Sequence, residues 1–186
     1  NCRYGTMIIQ VVFINEITEY ILDGFTFKNN EFHNSAGSED AGGSGFWIEN
    51  ANNRPFDYTF RGVTWIENTA SYAGGAFGYG RSSNHKQNNL VFDSCTFINN
   101  KCKEQYGGAL WIATTSLVSI DNCNFTNNKA LGTSSYGGAI YFDQTCTAKV
   151  EIKNTNISKN SAIEANALYL TPNLASVHID QCDISD

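Results

Sequence analysis

Charged residues recur at one position of a repeated sequence pattern, and their types could support chemistry. The set consists of Asp23, Arg61, Asp93, Asp121, Lys153 and Asp180. Asp93 and Asp121 could hold a calcium ion through their carboxylates, and Arg61 or Lys153 could act as a base. Together these groups could cleave an acidic polysaccharide, as a lyase does. The alternative is a ladder of aspartates that bond to turn backbone, with incidental cations. The regularity of the column favours this alternative, so we expect no catalytic residue, metal or cofactor.

The cysteines and two asparagines leave further alternatives open. The cysteines are Cys2, Cys95, Cys102, Cys123, Cys146 and Cys182, without metal-ligand spacing. They could form disulfides in an oxidising compartment or remain buried thiols that pack as small hydrophobic groups. Cys95 and Cys123 occupy one repeat position, so we expect them close together, within disulfide range. Asn124 and Asn156 begin N-glycosylation sequons, which arise by chance in a chain this rich in Asn, Ser and Thr.

Two alternating motifs indicate the elements that carry these residues. The first motif is a large apolar residue followed three positions later by asparagine. Its apolar positions are Phe27, Trp65, Phe97, Phe125, Ile157 and Ile184, and its asparagines are Asn30, Asn68, Asn100, Asn128 and Asn160. The second motif is Gly-Gly-Ala-apolar, intact from Gly74, Gly107 and Gly137 and degenerate from Gly43 and Ala165. Before each first motif, apolar residues alternate with one extra residue at the charged position, which indicates two strands separated by a bend.

Each repeat therefore predicts three short strands and no helix. Such a unit cannot bury its apolar side alone, so successive repeats must stack, with each strand parallel to its equivalent one rung away. Parallel crossovers are right-handed. We predict an all-β, right-handed parallel β-helix of six rungs of about 31 residues, forming one domain over residues 1–186. The apolar residues of the first motif would stack inside it as a ladder, and the asparagines would stack at one bend.

The strand that contains the second motif predicts a binding surface. Alternation directs one set of side chains inward: Ile8, Phe46, Phe77, Leu110, Ile140 and Leu168. The next residue in each rung then points outward, and this set includes Trp47, Trp111, Tyr141 and Tyr169. An exposed aromatic stripe suits a glycan or a partner protein, so we predict a contact face here. The alternative is that a long loop, such as residues 50–55 or 81–89, covers the stripe.

Composition and the chain ends narrow the function further. The net charge is −6 without a basic run, which excludes a nucleic-acid partner. The longest apolar stretch, residues 7–14, is shorter than the roughly 20 residues that span a bilayer, so any membrane anchor would lie outside this segment. The chain stops at Asp186, inside a first motif that Asn1 would complete. We therefore expect the rod to continue at both ends, through further repeats or by end-to-end stacking of copies into a filament.

The alternation of F-x-x-N with G-G-A-[I/L/F] resembles the polymorphic outer membrane protein repeat family, which includes the chlamydial autotransporter adhesins and surface proteins of some protists. The resemblance covers essentially the whole chain. The intact motif pairs that carry it begin at Trp65 and Gly74, Phe97 and Gly107, and Phe125 and Gly137. It implies an extracellular or cell-surface β-helix that acts as a scaffold or adhesin. The implied partner is a host or neighbouring surface protein or a glycan, and the receptor is not identified.

Overall fold

Short strands separated by bends make up the fold, in a computed structural model that describes residues 8–11, 19–32, 46–50, 55–79, 88–113 and 115–185. For residues 8–11 and 46–50 only the backbone is described. None of the described residues is helical. The strands recur in the same order along the chain, once in each rung.

The first rung contains β1 (Ile8–Val11), β2 (Glu19–Asp23), β3 (Thr26–Lys28) and β4 (Glu31–Phe32). The second contains β5 (Phe46–Asn50), β6 (Asp57–Arg61), β7 (Thr64–Ile66) and β8 (Thr69–Ala70). The third contains β9 (Phe77–Tyr79), β10 (Asn89–Asp93), β11 (Thr96–Ile98) and β12 (Lys101–Cys102). The fourth contains β13 (Leu110–Ile112), β14 (Leu117–Asp121), β15 (Asn124–Thr126) and β16 (Lys129–Ala130). The fifth contains β17 (Ile140–Phe142), β18 (Lys149–Lys153) and β19 (Asn156–Ser158), and the sixth contains β20 (Leu168–Tyr169), β21 (Ser176–Asp180) and β22 (Asp183–Ser185).

Equivalent strands pair into four stacked sheets. Sheet A has the order β1-β5-β9-β13-β17-β20, sheet B β2-β6-β10-β14-β18-β21, sheet C β3-β7-β11-β15-β19-β22 and sheet D β4-β8-β12-β16. The pairings are parallel, and each joins a strand to its equivalent in the next rung, as β10 pairs with β14 and β11 with β15. The chain therefore coils as a parallel β-helix of six rungs.

Two details differ from the sequence prediction. Sheet D adds a fourth strand to the three expected per rung, and its strands are only two residues long. Two residues are too few to show an alternating pattern. In the first rung, Ile8 pairs with Trp47, whereas the sequence alignment placed Ile8 opposite Phe46. That alignment was wrong by one residue because the second motif is absent around Ile8, so nothing in the sequence fixed the register.

Left-handed backbone produces the bends. Between sheets B and C, the residues with positive φ are Gly24, Gly62, Ser94, Asn122, Asn154 and Gln181, and between sheets C and D they are Asn29, Glu67, Asn99, Asn127 and Lys159. A third set precedes sheet A and consists of Gly74, Gly107, Gly137 and Ala165. Glycine and asparagine dominate because they adopt this conformation at low cost. Ala165 has φ 56°, so the degenerate fifth motif keeps the same bend.

The bore of the coil is filled by stacked rings. Trp65 and Phe97 stack at 4.5 Å with planes 4° apart, and Phe97 and Phe125 at 4.4 Å with planes 5° apart. Ile157 continues this column and is fully buried. Rings of sheets A and B pack against it edge-on, as Phe77 does against Trp65. Close packing of this kind supplies most of the burial that holds the rungs together.

The asparagines of the three middle first motifs, Asn68, Asn100 and Asn128, each link three rungs. The Asn100 Nδ2 donates to the Trp65 carbonyl at 3.0 Å in the rung before and to the Asn128 Oδ1 at 3.0 Å in the rung after. Its own Oδ1 accepts hydrogen bonds from the backbone N and the Nδ2 of Asn68. The buried amide is thus fully bonded, as a buried polar group must be. The same pattern holds at Asn68 and Asn128.

The segment from sheet B to sheet D has a constant length. Residues 19–32, 57–70, 89–102 and 117–130 each run from the first residue of a sheet B strand to the last residue of a sheet D strand. Differences in repeat length therefore fall in the connections before and after sheet A.

The first and last rungs differ in the exposure of their inward positions. Leu22 and Phe27 of the first rung are only 4% and 6% exposed. Their equivalents in the sixth rung, Ile179 and Ile184, are 39% and 46% exposed. Ile184 was predicted to lie in the buried ladder. It is in register with Ile157, but no described residue packs over it from beyond.

Candidate functional site

The charged column lies at the end of sheet B, with its members in register from rung to rung. Arg61 pairs with Asp23 on one side and Asp93 on the other. Its guanidinium lies 3.9 Å from the Asp23 carboxylate and 3.7 Å from that of Asp93. Asp93 Oδ1 also accepts a hydrogen bond from the Ser94 hydroxyl. Arginine stays protonated in proteins, so Arg61 neutralises its neighbours here and is poorly suited to act as a base.

The lower half of the column bonds to side chains beside it. Asp121 Oδ1 accepts a hydrogen bond from Asn154 Nδ2 in the next rung. Lys153 donates to Glu151 at 2.9 Å. This hydrogen bond raises the pKa of Lys153 above its ordinary value and lowers that of Glu151. A raised lysine pKa favours the protonated form, which cannot accept a proton. Asp121 bonds to a neighbouring side chain, whereas the turn interpretation expected a bond to its own backbone.

The predicted aromatic contact face is buried where the structure describes it. Trp111 and Tyr141 are 2% and 4% exposed, and Tyr169 is half-buried. The Trp47 side chain lies outside the described part. The prediction that Trp111 and Tyr141 face solvent is therefore wrong, although their register on the outer side of sheet A is as expected. They form a second, smaller core with Ala73 and Ala113.

Tyrosines from the segment before each second motif cover this second core. Tyr72, Tyr106 and Tyr136 pack against it, and the Tyr106 ring lies 4.5 Å from the Tyr141 ring. Tyr106 and Tyr136 are in register through isolated bridges. The sequence contained this signal, because a tyrosine directly precedes Gly107 and Gly137. Of the two loops considered as cover, residues 51–54 and 81–87 lie outside the described residues.

The described cysteines are free thiols. Cys95, Cys102, Cys123 and Cys146 are buried and Cys182 is half-buried, while Cys2 lies outside the described residues. Cys95 and Cys123 are neighbours, with the Cys95 N 3.3 Å from the Cys123 Sγ. The interaction between the two thiols lowers the pKa of Cys95 and raises that of Cys123. Burial raises the pKa of both Cys102 and Cys146 to about 11.

The two sequons lie side by side on the outer face of sheet C. Asn124 pairs with Asn156 in register, and Asn156 Nδ2 donates to Asn124 Oδ1 at 2.9 Å. The Thr126 hydroxyl donates to the same oxygen at 2.7 Å. Both asparagines are half-buried. An N-glycan is attached through Nδ2, so a glycan on Asn156 would alter the group that donates the bond to Asn124.

A polar groove follows the outside of the bend between sheets C and D. Its volume is about 440 Å³, and each of three successive rungs contributes the bend residue and the residue two positions later. The lining residues are Glu67, Thr69, Asn99, Lys101, Asn127 and Lys129. Asn127 Nδ2 donates to Asn99 Oδ1 at 2.6 Å, and Lys101 pairs in register with Lys129. The groove was not predicted, although Phe97 and Phe125 are each followed four positions later by lysine.

Within the described ranges, no three His, Cys, Asp or Glu side chains come close enough together to hold a metal ion. The same residues contain no helix that is long and apolar enough to cross a membrane.

Comparison with known proteins supplies the family. The family model described as the right-handed β-helix region matches residues 17–186. No curated protein and no solved structure shows significant similarity to the chain. The match covers nearly the whole chain and agrees with the six stacked rungs of parallel strands, which form a repeat scaffold. The chain therefore belongs to the right-handed β-helix family.

Proposed function

We propose that the chain is a non-enzymatic scaffold of the extracellular space or cell surface that acts in adhesion. The observation that carries this proposal is that side chains of the charged column pair with one another or with adjacent side chains, from Arg61 between two aspartates to Lys153 on Glu151. Groups held in this way maintain the register of the rungs and are unsuited to proton transfer. The outward side chains repeat from rung to rung. A rod of this kind can offer a partner the same contacts several times, which strengthens binding.

Adhesion is tested by coating beads with the purified chain and measuring their retention on cell monolayers under flow. We expect retention above that of beads coated with bovine albumin, and competition by the free chain. Retention equal to the albumin control on every surface tried would reject adhesion.

The second candidate is a polysaccharide-cleaving enzyme, which the position of Asp93 and Asp121 on neighbouring rungs favours. Incubation with polygalacturonate and calcium should then produce the ultraviolet absorbance of unsaturated ends. We expect no product with the native chain. Product that disappears in an Asp93→Asn, Asp121→Asn variant would replace our proposal with a lyase.

Further stacking of rungs is part of the proposal. The apolar side chains of Val177, Ile179 and Ile184 are 39–46% exposed at the sixth rung, and a further rung would cover them. That rung could come from more of the same chain or from a second copy. The junction expected between Asp186 and Asn1 lies outside the described residues.

A further inference from the structure

The polar groove contains a pair of lysines that face each other directly. Lys101 and Lys129 occupy the same position of β12 and β16, which are neighbouring parallel strands of sheet D. Adjacent strands lie roughly 4.8 Å apart, and like charges directly opposite one another destabilise a sheet. The fold therefore keeps an unfavourable pair of charges at a position where the rung above has a neutral residue, Thr69.

Two neighbouring lysines form ion pairs, whereas Lys101 and Lys129 form none with the described residues. Lys103 lies 2.7 Å from the Glu31 carboxylate, and Lys28 lies 4.0 Å from that of Glu67. Within the described part of the chain, no carboxylate lies within ion-pair distance of Lys101 or Lys129. In the rungs of the two lysines, the bend residues that line the groove are the amides Asn99 and Asn127. The one carboxylate among the lining residues, Glu67, belongs to the rung before.

The rest of the groove is suited to a ligand rich in hydroxyl groups. Thr69 contributes a hydroxyl, and the Asn99 and Asn127 amides contribute hydrogen-bond donors and acceptors in the same register as the lysines. The lining repeats once per rung along the rod axis. An extended polysaccharide repeats its rings at a similar distance, so successive sugars would meet equivalent groups. The anionic groups of an acidic sugar would lie between the two ammonium groups and offset their repulsion.

We propose that this groove binds an acidic polysaccharide, with Lys101 and Lys129 on its carboxylate or sulfate groups and the asparagines on its hydroxyls. The inference rests on the proposed adhesive function, for which it supplies the class of ligand. The groove binds by charge-assisted hydrogen bonds, so its affinity falls as salt is added.

The test measures the affinity of the full 186-residue chain for four probes by calorimetry: heparin, polygalacturonate, dextran and polyglutamate. We expect binding to heparin, to polygalacturonate or to both, and weak or no binding to dextran. Polyglutamate should bind more weakly than whichever acidic polysaccharide binds more tightly. The Lys101→Gln, Lys129→Gln variant should lose at least about tenfold in affinity, because two charge-assisted contacts are removed.

Two matched variants make the result specific. Lys149→Gln removes one lysine charge from sheet B, away from the groove, and should bind like the native chain. Lys101→Arg, Lys129→Arg keeps the charge and should retain most of the affinity. Thermal unfolding of the Gln variant should occur at or above the native temperature, because the repulsion is relieved. This readout separates lost binding from lost folding.

Several outcomes would overturn the inference. These are native affinity in the Gln variant, equal loss in Lys149→Gln, no binding to either acidic polysaccharide, or polyglutamate binding as tight as that of the polysaccharides. Bead adhesion by the Gln variant separates the two proposals. Adhesion that persists without Lys101 and Lys129 rejects the groove and leaves the adhesive function standing, whereas a native chain that adheres to nothing rejects that function itself.

Discussion

Asparagine recurs at two positions of the repeat, and the physical requirements at the two differ. At the bend between sheets C and D, Asn99 and Asn127 adopt φ 56°, but Glu67 and Lys159 do so as well. Asparagine is favoured there and can be replaced. Three residues after each ladder residue, the side chain must donate two hydrogen bonds and accept two within a buried bend, as Asn100 does. Only an amide of this length meets that requirement.

Replacement of Asn100 by alanine tests the amide ladder. The change removes four hydrogen bonds and leaves the backbone N–H of Asn68 buried without its acceptor. We expect the free energy of unfolding to fall by at least about 2 kcal/mol, measured by urea denaturation. Asn89→Ala is the control, because it removes one exposed bond to Asp57, and should cost at most about 0.5 kcal/mol. Equal effects of the two changes would contradict the assignment.

Gly108 tests the close approach behind sheet D. A Cβ at this position would overlap the Gly138 carbonyl oxygen and lie 2.5 Å from the Lys129 N. Gly108→Ala should therefore cost about 3 kcal/mol by overpacking, measured by thermal and urea unfolding. At Gly24 a Cβ would meet nothing within 4 Å and only the φ of 69° is unfavourable, so Gly24→Ala should cost about 1 kcal/mol. A smaller effect at Gly108 than at Gly24 would refute the packing argument.

Thiol labelling tests whether the buried cysteines are free. In a Cys2→Ser variant at pH 8, Cys182 should react first because it is half-buried. Cys102 and Cys146 should react slowly, since a pKa of about 11 leaves almost no thiolate at that pH, and their rates should rise with pH towards 11. Mass spectrometry of the labelled chain gives the order. A native mass lower by two hydrogens, with Cys95 and Cys123 unlabelled after denaturation, would instead establish their disulfide.

At the scale of elements, the sequence predicted the strands whose motifs recur from rung to rung. It did not predict the two-residue strands or the packing of one segment over another. The ladder positions and the strands of sheets A, B and C follow from motifs that recur, as at Phe97 and Phe125. Sheet D could not be predicted because two residues carry no period. Alternation correctly turned Trp111 away from the bore, but it could not reveal that the preceding segment folds over the outer side of sheet A, where Tyr106 covers Tyr141.

Burial of Trp111 has a measurable consequence for stability. Trp111→Ala should empty a packed site in the second core and lower the free energy of unfolding by about 3–5 kcal/mol. Leu131→Ala is the control, because Leu131 is 55% exposed, and should change the stability by no more than about 0.5 kcal/mol. Denaturant titrations followed by circular dichroism give both values. A Trp111→Ala variant as stable as the native chain would mean that the second core is not packed.

At the scale of the whole molecule, the exposed face of the sixth rung predicts association. We expect the 186-residue chain to sediment as larger species as its concentration rises, because exposed strand edges over apolar side chains pair readily. Ile179→Lys, Ile184→Lys should shift the chain towards monomers while the circular dichroism spectrum stays unchanged. Ile21→Lys is the control, since Ile21 is 50% exposed on the first rung, and should leave association unaffected. Monomers at every concentration of the native chain would contradict the expectation.

The constant length of the segment from sheet B to sheet D determines where the molecule tolerates insertions and deletions. A residue added to a strand within residues 117–130 would turn the side chains that follow it in that strand to the opposite face and break the ladders. A peptide inserted in a connection next to sheet A, such as at residues 132–134, would only lengthen one loop, because the next rung re-enters the same register through Gly137. Insertions, natural or engineered, can therefore vary one edge of the rod while the packing of the bore stays the same.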